Sequence, residues 1–353
     1  MQLMFNGEGI LSRGRGLTFD DVLLVPRHSE ISSRKNTSLT SPLTTKTTLD
    51  IPIITANMDT ITETSMACAM STLGGLGSLH RFASTQEQVE MVKEIRLYQD
   101  EHKIMAPIAA SIGVKEEGKR RGDALVDAGV QIITLDIAHG DSIMMLDVLD
   151  YMKKKYPSVE IIAGNVATGE ATTRLINAGA DAIKCGIGPG SMCTTRIITG
   201  HGVPQLTAIA LCVQAARKYS VPVIADGGIR NSGDMVKALC AGASAIMVGS
   251  IVSGTLETPG EVKSGKKLYR GMASKSAQVS WRGELPQGMA AEGEATMIAC
   301  KGSVTDVINE LTGGIRSGMT YLGAETVSAM NEAALFMEMS AAGAYESKPH
   351  GVR

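Results

Sequence analysis

Short apolar runs recur along the chain, separated by stretches with helical periodicity. Strands are predicted at 53–56, 76–79, 108–112, 131–136, 160–163, 182–186, 222–225 and 245–248. Amphipathic helices are predicted at 86–98, 116–128, 143–155, 171–178, 208–219 and 233–241. Apolar strands that alternate with helices build a parallel sheet buried on both faces. Three helices end on Ala-Gly just before the next strand, at Ala128-Gly129, Ala178-Gly179 and Ala241-Gly242, with Gly74-Gly75 a looser copy. Glycine there takes the left-handed C-cap that turns a helix back. Eight such units close a (β/α)₈ TIM barrel. An open doubly wound sheet is the alternative, but it rarely needs eight regular units.

After the eighth strand the periodicity stops. Residues 254–302 are rich in Gly, Lys and Glu, and a stretch that long without clear elements is expected to be an active-site lid or flap. Helical pattern returns at 304–311 and 325–337, and 342–353 are expected to form a disordered tail. No second domain is inserted, so 1–353 reads as one barrel domain. A chain that is 44% hydrophobic and 20% charged is not a disordered one. Its 39 glycines and few aromatic residues imply a core of Ala, Val, Ile, Leu and the 20 methionines. A net charge of −2 gives no reason to expect nucleic acid or an anionic membrane as a partner. No apolar run is long enough for a membrane span, and the N-terminus lacks the pattern of a secretory signal. Six cysteines without CxxC spacing read as reduced thiols of a cytoplasmic protein, not as a disulfide framework or zinc site.

In such barrels the chemistry sits at the C-terminal ends of the strands, and polar residues and glycines concentrate just past the predicted strands. The richest stretch is Gly186-Ile187-Gly188-Pro189-Gly190-Ser191-Met192-Cys193-Thr194-Thr195-Arg196. Its glycines let backbone groups line a concave, ion-binding loop. Cys193, flanked by hydroxyls and an arginine, is placed for nucleophilic attack; the alternative is a small apolar filler in a tight turn. Asp226-Gly227-Gly228 and Gly249-Ser250, after strands seven and eight, suit a phosphate with a ribose beside it, or else simply make turns. Asp136 and Asn165 either contact a second ligand or cap the following helices. His80 and His139 show no carboxylate partner or metal-ligand spacing and are read as structural.

The loop around Cys193 resembles the signature loop of the IMP dehydrogenase and GMP reductase family. The likeness continues through Leu17 to Leu24, Ala56-Asn57-Met58-Asp59-Thr60, Asp136-Ile137-Ala138-His139-Gly140, Ala163-Gly164-Asn165-Val166, Asp226-Gly227-Gly228, Tyr269-Arg270-Gly271-Met272 and Gly313 to Ser317. It therefore covers almost the whole chain. The chain lacks the inserted CBS-type regulatory domain common among the dehydrogenases. Its lid between Met272 and Glu292 is short and contains no Arg-Tyr step to activate water. The Ala56-Asn57-Met58 and Thr320 to Ala324 segments are similar to GMP reductase, whereas Leu17 to Leu24 and Asp59 to Glu63 are closer to the dehydrogenases.

The resemblance implies NADPH-dependent reductive deamination of GMP to IMP and ammonia through a covalent adduct of Cys193 at purine C2, a purine-salvage reaction. The alternative is an IMP dehydrogenase that makes XMP with NAD, and a nucleotide-binding protein without turnover is a third reading. As carried over, Cys193, Thr195 and Glu292 would be catalytic; taken alone, Glu292 would be an exposed lid charge. Ser191, Asp226, Gly227, Gly228, Gly249, Ser250, Gly271, Met272, Met289 and Gly293 would bind the mononucleotide. Ser33, Arg34, Arg81, Asp136, Ile137, Ala138, Asn165 and Ser317 would bind the dinucleotide. Carbonyls of Gly188, Gly190 and Cys193 would hold a monovalent cation, potassium, and a homotetramer is implied. Met289 stands where many reductases have arginine, and Ala273 replaces a serine beside Met272. Trp281 is expected to pack on the barrel, with stacking on a base the alternative.

Overall fold

The structure, a computed structural model, describes residues 3–284, 287–288 and 290–347. Eight strands form a closed barrel: β1 (Ile53–Thr55), β2 (Leu76–Leu79), β3 (Ala109–Ile112), β4 (Ile132–Asp136), β5 (Glu160–Val166), β6 (Ala182–Cys185), β7 (Val223–Asp226) and β8 (Ala245–Val248). Each is parallel to its chain neighbours, and β8 pairs with β1 to close the ring. This is the expected (β/α)₈ barrel.

Strand alternation sorts the residues into layers, because successive side chains point to opposite faces. Ile54, Leu76, Ala109, Ile132, Ile162, Ala182, Ile224 and Ala245 fill the lower interior, with Leu43 and Leu49 packed against them. Two residues further along the strands, the same face carries Ser78, Ser111, Thr134, Lys184 and Asp226. Ser78 lies 3.4 Å from Ser111 and 3.3 Å from Thr134, hydroxyl to hydroxyl. The barrel is thus apolar at the bottom and polar at the top, where ligands bind.

The surrounding helices are α1 (Thr64–Thr72), α2 (Thr85–His102), α3 (Glu116–Asp127), α4 (Ile143–Lys155), α5 (Gly169–Asn177), a short α6 (Thr195–Thr199), α7 (Gln205–Arg217) and α8 (Ser232–Cys240). Side-chain N-caps start several of them: Ser84, in a capping box with Glu87, and Ser142, Thr168 and Asn231. Helix α1 was not predicted. Met66, Ala67, Cys68, Met70 and Ser71 are all buried on it, so no polar stripe marks its period.

The segment after β8 is more regular than its sequence suggests. An antiparallel pair, β9 (Lys266–Arg270) and β10 (Ala295–Ala299), brackets the helix α9 (Lys275–Arg282). The next helix, α10 (Val304–Leu322), runs well past the predicted end at 311. The region 325–337 divides into a helix at Val327–Ala333 and a strand, Phe336–Glu338, that pairs with Met4–Phe5 and Val22–Leu24. Within the segment expected to be a disordered tail, Ala341–Glu346 is a short helix capped by Ser340. Residues 348–353 lie outside the described residues. No helix among the described residues is long and apolar enough to cross a membrane.

Candidate active site

The C-terminal ends of the strands open on a cleft of about 340 Å³. Its floor is a charged cluster. Lys184 on β6 reaches Asp136 on β4 and Asp226 on β7, each at 2.7 Å, and also donates to Asn165 Oδ1 on β5. Asn165 Nδ2 donates to Asp226 at 2.9 Å and to the Gly186 carbonyl at 2.7 Å. Burial alone would raise the Asp136 carboxyl. Lys184, Arg81 and a hydrogen bond from Asn57 outweigh it and hold the group below the usual carboxylate range. Burial would lower Lys184, but the same two carboxylates keep it charged.

The chain leaves β6 through Gly186, whose φ is +147°; a Cβ there would lie 2.1 Å from the Asp226 carbonyl oxygen. Only glycine lets the loop pass this close to the end of β7. The loop carries Cys193 to the cleft wall, where the thiol is half-buried and free. Its Sγ lies 3.2 Å from Thr195 Oγ1, which donates to Glu292 Oε2 at 2.7 Å. Backbone bonds fasten the 292–294 stretch to this loop: Thr194 N to Glu292 O at 3.1 Å, Glu294 N to Met192 O at 2.9 Å, and a Cys193–Gly293 bridge. Glu292 is therefore held beside the thiol and is not a free lid charge.

The segment after β8 and the barrel also meet through side chains. Arg270 pairs with Asp59 from the loop after β1, and Met272 Sδ accepts the Asp59 N–H at 3.4 Å. The Tyr269 hydroxyl lies 3.1 Å from Ser191 Oγ and also bonds Ser250. Burial raises its pKa more than these hydroxyls lower it. Trp281 on α9 packs edge-on against Phe82, ring centroids 6.1 Å apart, with the Arg121 guanidinium 5.9 Å from its ring. Packing on the barrel is thus what the structure shows for Trp281.

Most of the predicted site residues converge here. Cys193, Thr195, Glu292, Ser191, Asp226, Gly227, Gly271, Met272, Arg81, Asp136, Ile137, Ala138, Asn165, Gly188 and Gly190 line the cleft. Gly249, Ser250, Gly228 and Gly293 adjoin it through Tyr269, Pro189 and Cys193. Ser33, Arg34 and Ser317 do not line it. The Arg34–Asn36 turn is instead held on α10, where Arg316 donates to the Thr37 carbonyl and hydroxyl. Met289 lies outside the described residues. His80 is buried, as a structural histidine would be, but it does have a carboxylate partner: Glu63 Oε1 lies 3.0 Å from its Nε2. His139 is exposed. Lys184, Asn57 and Tyr269 also line the cleft; sequence reasoning missed Lys184 and quoted Asn57 and Tyr269 only within motifs, without a role. For Lys184 the available signal was a lone lysine within an apolar strand, at an inward position.

Fold and cleft together define a (β/α)₈ barrel with a nucleotide-sized site at its C-terminal face. A family model described as IMP dehydrogenase / GMP reductase domain matches residues 16–350. The inosine-5'-monophosphate dehydrogenase of Cryptosporidium parvum is 40% identical, covering 98% of this chain and 97% of that protein. The one from Nitrosopumilus maritimus is 35% identical, covering 96% and 98%. Among solved structures, a Cys-to-Ala variant of GMP reductase from Trypanosoma brucei in complex with guanosine 5'-monophosphate superposes with a TM-score of 0.90. It is 32% identical, over 97% of this chain and 99% of that one. The chain belongs to the IMP dehydrogenase / GMP reductase family, oxidoreductases of purine nucleotide metabolism.

Proposed function

We propose that this member is a GMP reductase, converting GMP and NADPH to IMP, ammonia and NADP⁺. The observation that carries the reading is the line Cys193 Sγ–Thr195 Oγ1–Glu292 Oε2, with spacings of 3.2 and 2.7 Å. A thiolate that adds to purine C2 must expel the exocyclic amine, which leaves poorly unless protonated. A hydroxyl bonded to both the nucleophile and a carboxylate can relay that proton from Glu292 to the departing nitrogen. The C2–N bond breaks as ammonia forms, and a thioimidate joins Cys193 to C2. A bound reduced nicotinamide supplies the hydride that converts this adduct to IMP and returns the thiolate.

The residues of the cleft fit both ligands. Asp226 is placed to accept ribose hydroxyls, and Gly227, Gly228, Gly249 and Ser250 offer backbone amides to a phosphate. On the other side Asp136, Ile137, Ala138 and Asn165 form the nicotinamide wall, and Arg81 closes it. The Arg81 Nε is buried and makes no hydrogen bond within the protein, the state of a donor awaiting a ligand. Potassium is proposed on the carbonyls of Gly188, Gly190 and Cys193; that of Gly190 already accepts the Cys193 N–H at 3.0 Å but keeps a second lone pair. The described residues of 254–302, with the β9–β10 pair and α9, are read as the lid over these sites.

A dehydrogenase is the second reading. The relative from Cryptosporidium, named as one, aligns over 392 positions and so is close to this chain in length. That direction needs water activated at C2, and the lid offers Arg282 but no Arg-Tyr step. The test is product analysis. Incubation with GMP and NADPH is expected to release IMP and ammonia in equal amounts. XMP formed from IMP and NAD⁺, with no ammonia from GMP, would overturn the reductase assignment.

A further inference from the structure

Lys184 projects from β6 into the upper barrel with its side chain 3% exposed. An ammonium has three protons. Those of Lys184 meet Asp136 Oδ1 at 2.7 Å, Asp226 Oδ2 at 2.7 Å and Asn165 Oδ1. The three acceptors come from β4, β7 and β5, which flank β6 on either side along the barrel wall. Asn165 closes the ring by donating to Asp226 at 2.9 Å. A carboxylate held at such a site without a counter-charge is costly, and two sharing one floor repel each other. Both aspartates are bonded to one ammonium, that of Lys184, while Arg81 adds its charge near Asp136 alone.

We propose that Lys184 is a positioning residue shared by the two halves of the cleft: one ammonium, bonded to Asp136 and Asp226 together, sets the mononucleotide and dinucleotide subsites as a unit. The proposal rests on the functional reading above for which ligand each aspartate meets. A purely structural lysine would affect stability and leave both subsites intact in whatever protein folds. A shared counter-ion does more, because a change on one side must reach the other through it.

The experiment is equilibrium binding of GMP, IMP, NADPH and NAD⁺, each titrated separately so that turnover does not enter. Lys184→Met is expected to weaken both a mononucleotide and a dinucleotide by at least about tenfold, as loss of one member of a buried charge cluster does. Asp136→Asn keeps the lysine and remains informative if Lys184→Met fails to fold. It is expected to shift the GMP dissociation constant by at least about threefold, although Asp136 lies on the dinucleotide side. Folded Lys184→Met with either ligand class bound normally, or Asp136→Asn with unchanged GMP affinity, overturns the inference. A wild type that binds none of the four ligands overturns the functional reading, and this inference with it.

Discussion

The Thr195 hydroxyl donates to the Glu292 carboxylate at 2.7 Å across ninety-seven positions of sequence. One residue starts the short helix beyond Cys193, and the other lies just before β10. Backbone bonds on either side of Glu292 hold the pair in register.

Breaking that relay is expected to slow chemistry and to spare binding. Thr195→Val and Glu292→Gln should each lower kcat by about 10²–10⁴-fold, the usual contribution of a positioned proton donor. The double variant should lose little more than the worse single one, since both act on one proton. Steady-state kinetics with KM and kcat separated would check this, and strict additivity would argue that the two residues act independently.

The cysteines differ in environment and should differ in reactivity. Burial pushes the Cys68 thiol up to about 11 and raises Cys240, while Cys185 is raised by its hydrogen bond to Cys212 and by burial. Cys193 is half-buried at the cleft wall. Iodoacetamide at neutral pH, read by peptide mass spectrometry, should modify Cys193 and leave Cys68, Cys185 and Cys240 intact. Saturating GMP should protect Cys193.

Replacing the nucleophile separates binding from chemistry. Cys193→Ala should reduce turnover by at least about 10³-fold while GMP still binds, measured by calorimetry. Retained turnover would exclude covalent catalysis.

Stability at acid pH should depend on Asp136. Its carboxyl is held below the ordinary value near 3.9, so its contribution is complete at neutral pH and fades as pH falls from that ordinary value through the lower folded-state one. The Tm of wild type should exceed that of Asp136→Asn near neutrality, and the gap should narrow below about pH 4. A gap that stays constant to pH 2 would contradict this assignment.

The barrel was legible because its strands are short apolar runs and its helices are mostly one-sided. Where that contrast fades, the elements were missed or cut short. Helix α1 buries five of its nine residues, and its exposed Ser65 and Thr72 are too small a polar face to mark a period. Helix α10, predicted only to 311, runs on through Gly313-Gly314, where a Cβ at Gly314 would lie 2.2 Å from Ser232 Oγ, and one at Gly318 2.7 Å from Val236. Those glycines let α10 lie close against α8; they do not end it. Cys193 and its loop were legible as a local motif. Lys184 was not, because its meaning lies in Asp136 and Asp226, on other strands, and only closing the barrel brings the three together.

The direction of hydride transfer is the most direct test of the account. Purified protein with GMP and NADPH is predicted to show falling absorbance at 340 nm, and with IMP and NAD⁺ no rise. Rising absorbance with IMP and NAD⁺, and none lost with GMP and NADPH, would contradict it.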